Sequence, residues 1–68
     1  MNYQVLKKYV KESVFTMEDV ATLIGMSYST FNWRAKNNAM QVKDLVAIVE
    51  LLDLSSEDLL KIIYGKEQ

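Results

Sequence analysis

"TMEDVATLIGMSYSTFNWRAK", residues 16–36, carries two helix starts with a helix stop between them, and their spacing decides the fold. Thr16 is a strong N-cap residue and Asp19 stands three positions on, a near-variant of the capping box. Phe15, just before the cap, is placed to pack on Val20 as a hydrophobic staple. Val20, Leu23 and Ile24 form the expected buried side, and Ala21 is small enough for close approach by another helix. Gly25 ends this helix, because glycine readily takes the left-handed conformation at the position that closes a helix. Ser27 then caps a second helix over about Tyr28–Lys36. Two short helices joined by a turn containing glycine, here Gly25-Met26-Ser27, are the signature of a helix-turn-helix, over about residues 17–36.

The flanks read as three further helices. From about Asn2 to Glu12, Val5, Leu6, Tyr9 and Val10 recur at helical spacing, with Lys7, Lys8 and Lys11 outside the stripe. From about Val42 to Leu52, Val42, Leu45, Val46, Ile48, Val49, Leu51 and Leu52 leave little polar surface. That segment is expected to be the central helix of the bundle, and its wide apolar arc could also serve a partner. "LSSEDL", residues 54–59, repeats the earlier start signal, with Ser55 as N-cap, Asp58 at N3 and Leu54 placed against Leu59. This last helix is expected to end near Tyr64, with Gly65 after it. Proline is absent and there are only two glycines, which favours helices joined by short turns. The expectation is one all-α domain over residues 1–68, a compact five-helix bundle.

Composition narrows the function. Half of the 68 residues are hydrophobic, as in a globular domain rather than a disordered segment. A chain of this size buries only about 60% of its unfolded surface, so it relies on its core and on any self-association. There is no cysteine and no histidine. Disulfides, thiolate or imidazole metal sites and the usual imidazole base are thereby excluded. Neither a nucleophile–base pair nor a glycine-rich phosphate loop occurs, so the reading is a non-enzyme with no cofactor and no metal. No apolar run is long enough to span a bilayer and no signal peptide is evident, so a soluble cytoplasmic protein is expected.

The net charge is −1, which argues against a general nucleic-acid coat protein. Its distribution is more telling. Between Val20 and Lys43 there is no acid, while Arg34, Lys36 and Lys43 lie there; between Asp44 and Leu60 there are Asp44, Glu50, Asp53, Glu57 and Asp58 and no base. In the helix over Tyr28–Lys36, about 100° per residue brings Phe31 and Ala35 together toward the core and turns Trp33 to the opposite side. The outer face then reads Tyr28, Ser29, Asn32, Trp33 and Lys36. Asn pairs with the adenine edge, aromatic surface meets a thymine methyl, and Lys reaches a guanine edge or a phosphate. The competing reading packs Trp33 in the core, over a neighbouring helix or in a dimer contact, since tryptophan is mostly buried.

"FTMEDVATLIGMSYSTF" and "MQVKDLVAIVELLDLSSEDLL" resemble the Cro/repressor-type (xenobiotic-response-element-like) helix-turn-helix family of bacteria and their phages, over nearly the whole chain. Thr16, Ala21, Gly25, Met26-Ser27, Phe31 and "LLDLSSEDLL" at 51–60 fall where that family has comparable residues. The resemblance implies a lambda-repressor-like bundle that regulates transcription as a homodimer on a double-stranded, pseudo-palindromic operator, in a phage, prophage or bacterial host. By position, Tyr28, Ser29, Asn32 and Trp33 would read bases. Lys36, Asn37 and Asn38 would meet phosphate, as would Lys43 at the start of the fourth helix. Met17 stands where relatives often carry a phosphate-touching Gln, and Gln41 where a Thr or Ser cap is usual. Leu60, Ile63 and Tyr64 are the candidate dimer surface, or alternatively core. The alternative function is a protein-interaction module on the same fold, binding a repressor or a host factor with little DNA affinity.

Overall fold

The computed structural model describes residues 1–65. Five helices follow one another: α1 (Tyr3–Lys11), α2 (Met17–Leu23), α3 (Tyr28–Lys36), α4 (Val42–Leu52) and α5 (Ser56–Tyr64). No strand occurs among the described residues.

Short polar side chains start each helix by meeting backbone N–H groups that have no partner within it. Asn2 Oδ1 accepts from the N–H groups of Gln4 and Val5 at 2.9 and 3.1 Å. At α2, Asp19 N–H donates to Thr16 Oγ1 and Thr16 N–H to Asp19 Oδ2, both at 3.0 Å, a complete capping box. Ser55 and Asp58 repeat it at α5, at 3.0 and 3.1 Å. Ser27 Oγ accepts from Thr30 N–H at 3.2 Å and opens α3. At α4 the arrangement is one-sided: Gln41 N–H donates to Asp44 Oδ2 at 3.3 Å, while Asp44 N–H turns back to the Gln41 carbonyl at 3.0 Å.

Left-handed residues stop four of the five helices, α2 to α5. Gly25, at φ +88°, lets Met26 N–H reach the Ala21 carbonyl at 2.9 Å and its own N–H reach Thr22 at 3.1 Å, a Schellman closure. Asn38 and Asp53, at φ 55° and 53°, close α3 and α4 in the same way. There Ala39 N–H donates to the Arg34 carbonyl at 2.8 Å and Leu54 N–H to Val49 at 2.9 Å. Gly65 is needed for two reasons: φ is +71°, and a Cβ would stand 2.8 Å from Asn2 Nδ2. That close approach accompanies a 2.7 Å hydrogen bond from Asn2 N–H to the Ile62 carbonyl, which ties the start of α1 to α5.

The apolar core is Val5, Leu6 and Val10 of α1, Val20 and Ala21 of α2, Phe31 and Ala35 of α3, Ile48 of α4 and Ile62 of α5. Phe15 and Leu54, the staple residues, pack against it half-buried. The Cα radius of gyration is 10.6 Å, against about 11 Å for a folded domain of this length.

Two expectations about the core are corrected. The closest helix packing is of α2 on α3 and of α1 on α2 and α5, so α4 is not the centre of the bundle. Of the apolar residues of α4 only Ile48 is fully buried; Val42 and Val46 are 77% and 47% exposed. Seven apolar side chains are more than one helix face, and no described element covers the far side. The second correction is Leu23, which is exposed rather than buried. The buried arc of α2 centres between Val20 and Ala21, and about 100° per residue carries Leu23 roughly 110° away from it.

Candidate nucleic-acid interface

The rotational register of α3 is the one the spacing predicts. Phe31 and Ala35 have no exposed surface, while Trp33 is 61% exposed. Ser29, Lys36 and, at the N-terminal edge, Tyr28 are also exposed. Asn32 is half-buried, on the flank of α3 that adjoins α1. The outward surface of α3 therefore brings Tyr28, Ser29, Asn32, Trp33 and Lys36 together, with no carboxylate on the helix itself.

Each flank of that surface is held by a neighbour distant in sequence. On one side, Tyr3 O–H donates to Asn32 Oδ1 at 2.9 Å, and Lys36 Nζ lies 5.1 Å from the centre of the Tyr3 ring. A cation over an aromatic face at an exposed site is favourable by about 0.5–1 kcal/mol. On the other side, Arg34 Nη1 lies 3.7 Å from Asp44 Oδ2. Asp44 is the one buried charged residue among those described, at 5% exposure. The pair ties α3 to the first turn of α4, and it also occupies the only arginine in the chain. Lys43 stands exposed beside this pair, around a cleft that also takes in Ser27 and Thr30.

The loop residues expected at phosphate have structural duties. Asn37 is the C-cap of α3, and its Nδ2 donates to the Trp33 carbonyl at 2.8 Å. Asn38 takes the left-handed turn, and its Oδ1 accepts from the Met1 amino group. Met17 is half-buried and packs against the core, so its thioether offers phosphate neither a charge nor a donor. Lys36 and Lys43 are left as exposed cations. Leu60, Ile63 and Tyr64 are 51%, 36% and 70% exposed, so none of them fills the core; Ile62 does.

Two residues of the site escaped the sequence reading. Tyr3 stands at the edge of the apolar stripe of α1, and its partner is 29 residues away, so no local pattern points to the bond between them. Glu18 is exposed in the first turn of α2 and lines a shallow cleft with Thr16, Met17 and Tyr28. The acid-free window begins after Val20, but the fold returns a carboxylate to its rim. No cluster of acids that could hold a metal ion occurs among the described residues, and no described helix is long and apolar enough to cross a membrane. Compared with known proteins, the chain matches no family model, no curated protein and no solved structure.

Proposed function

We propose that this chain is a sequence-specific, double-stranded DNA-binding regulator of the helix-turn-helix type, with α2 and α3 as the motif and α3 as the helix that enters the major groove. The observation that carries the reading is the orientation of α3, with Trp33 turned to solvent beside Ser29, Asn32 and Lys36 while Phe31 and Ala35 are buried. The exposed indole gives this face a large apolar contact surface, and the groups around it are those that read base edges. The resemblance of the chain to Cro/repressor-type proteins points the same way. Binding would be as a homodimer through Leu60, Ile63 and Tyr64 on α5, with half-sites about 34 Å apart along the duplex. The protein would act in the cytoplasm of a bacterial or phage-infected cell.

The test is selection from a library of random duplexes at a stated salt concentration. Enrichment of a palindromic motif supports the proposal, and flat enrichment overturns it. The second reading, a protein-interaction module, is favoured by one feature, the Glu18 carboxylate beside Tyr28 at the rim of the face. An acid there opposes phosphate, and exposed tryptophans are enriched as anchors at protein interfaces.

A further inference from the structure

We propose that Tyr3 is a positioning residue for base recognition, its hydroxyl holding the Asn32 side chain in one place on the face of α3. The inference rests on the DNA-binding reading above and adds a specificity determinant outside α2 and α3. Tyr3 is the first residue of α1, is half-buried and packs against the core, so its ring is anchored at both ends. Its O–H donates to Asn32 Oδ1 at 2.9 Å, and the same ring lies 5.1 Å from Lys36 Nζ. Asn32 and Lys36 are one helical turn apart, so a single ring organises one edge of the outward surface.

The chemistry of the amide makes this matter. Asn presents a donor and an acceptor side by side, the complement of the N7 acceptor and N6 donor of adenine. Turned over, it presents them in reverse order and loses that match. A hydroxyl can pair with either end of an amide, donating to Oδ1 or accepting from Nδ2, so what the Tyr3 bond opposes is the swing of the whole Asn32 side chain away from this edge. The bond uses one of the two lone pairs on Oδ1. The second lone pair and the Nδ2 hydrogens are left for a base. Asn32 is thus a pre-positioned reader, and less ordering remains to be done on binding.

The variant that isolates the hydroxyl is Tyr3→Phe, which keeps the ring against the core and beside Lys36. Wild type, Tyr3→Phe, Asn32→Ala and the double variant are each taken through selection on random duplexes, below their melting temperatures by circular dichroism. Asn32→Ala loses preference at one base pair in each half-site. Tyr3→Phe relaxes that same base pair by about three- to tenfold, part of the discrimination a bidentate pair supplies, and leaves affinity for unselected duplex unchanged. The double variant matches Asn32→Ala. An unchanged preference in Tyr3→Phe, or an equal loss on all sequences, overturns the positioning role alone. A wild type that enriches no motif overturns the DNA reading, and this inference with it. Nitrogen relaxation provides a readout free of DNA: Asn32 Nδ2 is expected to be as rigid as the backbone in wild type and looser in Tyr3→Phe. An equally mobile amide in both proteins overturns the proposal.

Discussion

Arg34 and Asp44 face each other at 3.7 Å across the gap between α3 and α4, with the carboxylate buried and the guanidinium about one-third exposed. Asp44 also accepts the Gln41 N–H, so one buried oxygen, Oδ2, caps α4 and docks α3. Exposed pairs contribute about 0.2–1 kcal/mol, while breaking a fully buried one costs about 3–5. With one partner in contact with solvent, Arg34→Ala is expected to cost about 1–2 kcal/mol in urea unfolding. Asp44→Asn costs a similar amount and loses cap strength as well. In the double variant the losses should be less than additive, since both remove one contact. Simple additivity would show that the two residues act separately.

Phe31 and Trp33 predict opposite phenotypes from neighbouring positions. Phe31→Ala empties a fully buried site and costs about 3–5 kcal/mol. A domain of this length has about 3–10 kcal/mol in total, so that variant is expected to be largely unfolded by circular dichroism at 37 °C. Trp33→Ala touches an exposed site and should shift stability by less than about 0.5 kcal/mol. Its loss appears in binding instead. The indole of the wild type should be quenched readily by acrylamide and change emission little on unfolding. A strongly shielded indole would contradict the proposal that this surface enters a groove. On DNA, Trp33→Ala should weaken the selected motif; if it abolishes capture of a protein partner and leaves DNA behaviour unchanged, the protein-interaction reading is the better one.

These residues also show what a sequence of this kind discloses. The caps at Thr16, Ser27 and Ser55 and the stop at Gly25 are local chemistry: each signal and its partner lie within a few residues, so position alone reveals them. The opposition of Phe31 and Trp33 follows from helix geometry in the same way. What periodicity cannot say is whether an apolar face meets a neighbour. Hence α4, with apolar residues on most sides, reads as the centre although Val42 and Val46 lie open, and Leu23 reads as buried although it is exposed. Left-handed stops at Asn38 and Asp53 are hard to see because those residues are common in other roles. The bonds that shape the candidate site, Tyr3 to Asn32 and Arg34 to Asp44, join separate helices, and only the folded chain brings them together.

Acid sensitivity should centre in part on Asp58. The Ser55 N–H bond lowers its pKa below the usual carboxylate value, and the Tyr9 hydroxyl, the Ser55 hydroxyl and the charge of Lys61 act in the same direction. A lowered folded-state pKa means that the unfolded chain binds the proton more readily. The stability from this group is therefore fully present above pH about 4 and is lost as pH falls from there through the lower folded-state value. Asp58→Asn should be less stable at neutral pH and show a shallower loss in that acid window. Tyr9→Phe should narrow the window while keeping the cap. If Asp58→Asn loses stability in acid as steeply as wild type, other carboxylates govern the response.

The open side of α5 predicts the oligomeric state. Leu60 and Tyr64 are more than half exposed on the helix whose Ile62 is core, so they can be changed without emptying the interior. Leu60→Lys should leave the melting temperature of the dilute protein nearly unchanged and shift sedimentation equilibrium toward monomer. DNA binding should then require a higher protein concentration and lose cooperativity between half-sites. If the wild type sediments as a monomer even on its selected duplex, α5 is not the dimer surface.

If α3 enters a DNA groove as proposed, charge at its rim should set the salt response. Lys36 and Lys43 are the exposed cations there, because Arg34 is committed to Asp44. Two phosphates neutralised per monomer give a slope of log affinity on log salt near −4 for a dimer, at about −0.9 per phosphate. A slope steeper than about −8 would mean that the lysines of α1 also lie on the duplex. Glu18 acts against these cations. A carboxylate about 7 Å from a phosphate in water opposes binding by roughly 0.6 kcal/mol, so Glu18→Gln should tighten binding about threefold per monomer, and about sevenfold for a dimer, in low salt. That gain should shrink as salt screens it, and the slope should steepen only slightly because no further phosphate is neutralised. The capping box of α2 uses Asp19 and not Glu18, so stability should hold. Unchanged affinity in Glu18→Gln would place the start of α2 away from the phosphates, whatever α3 does.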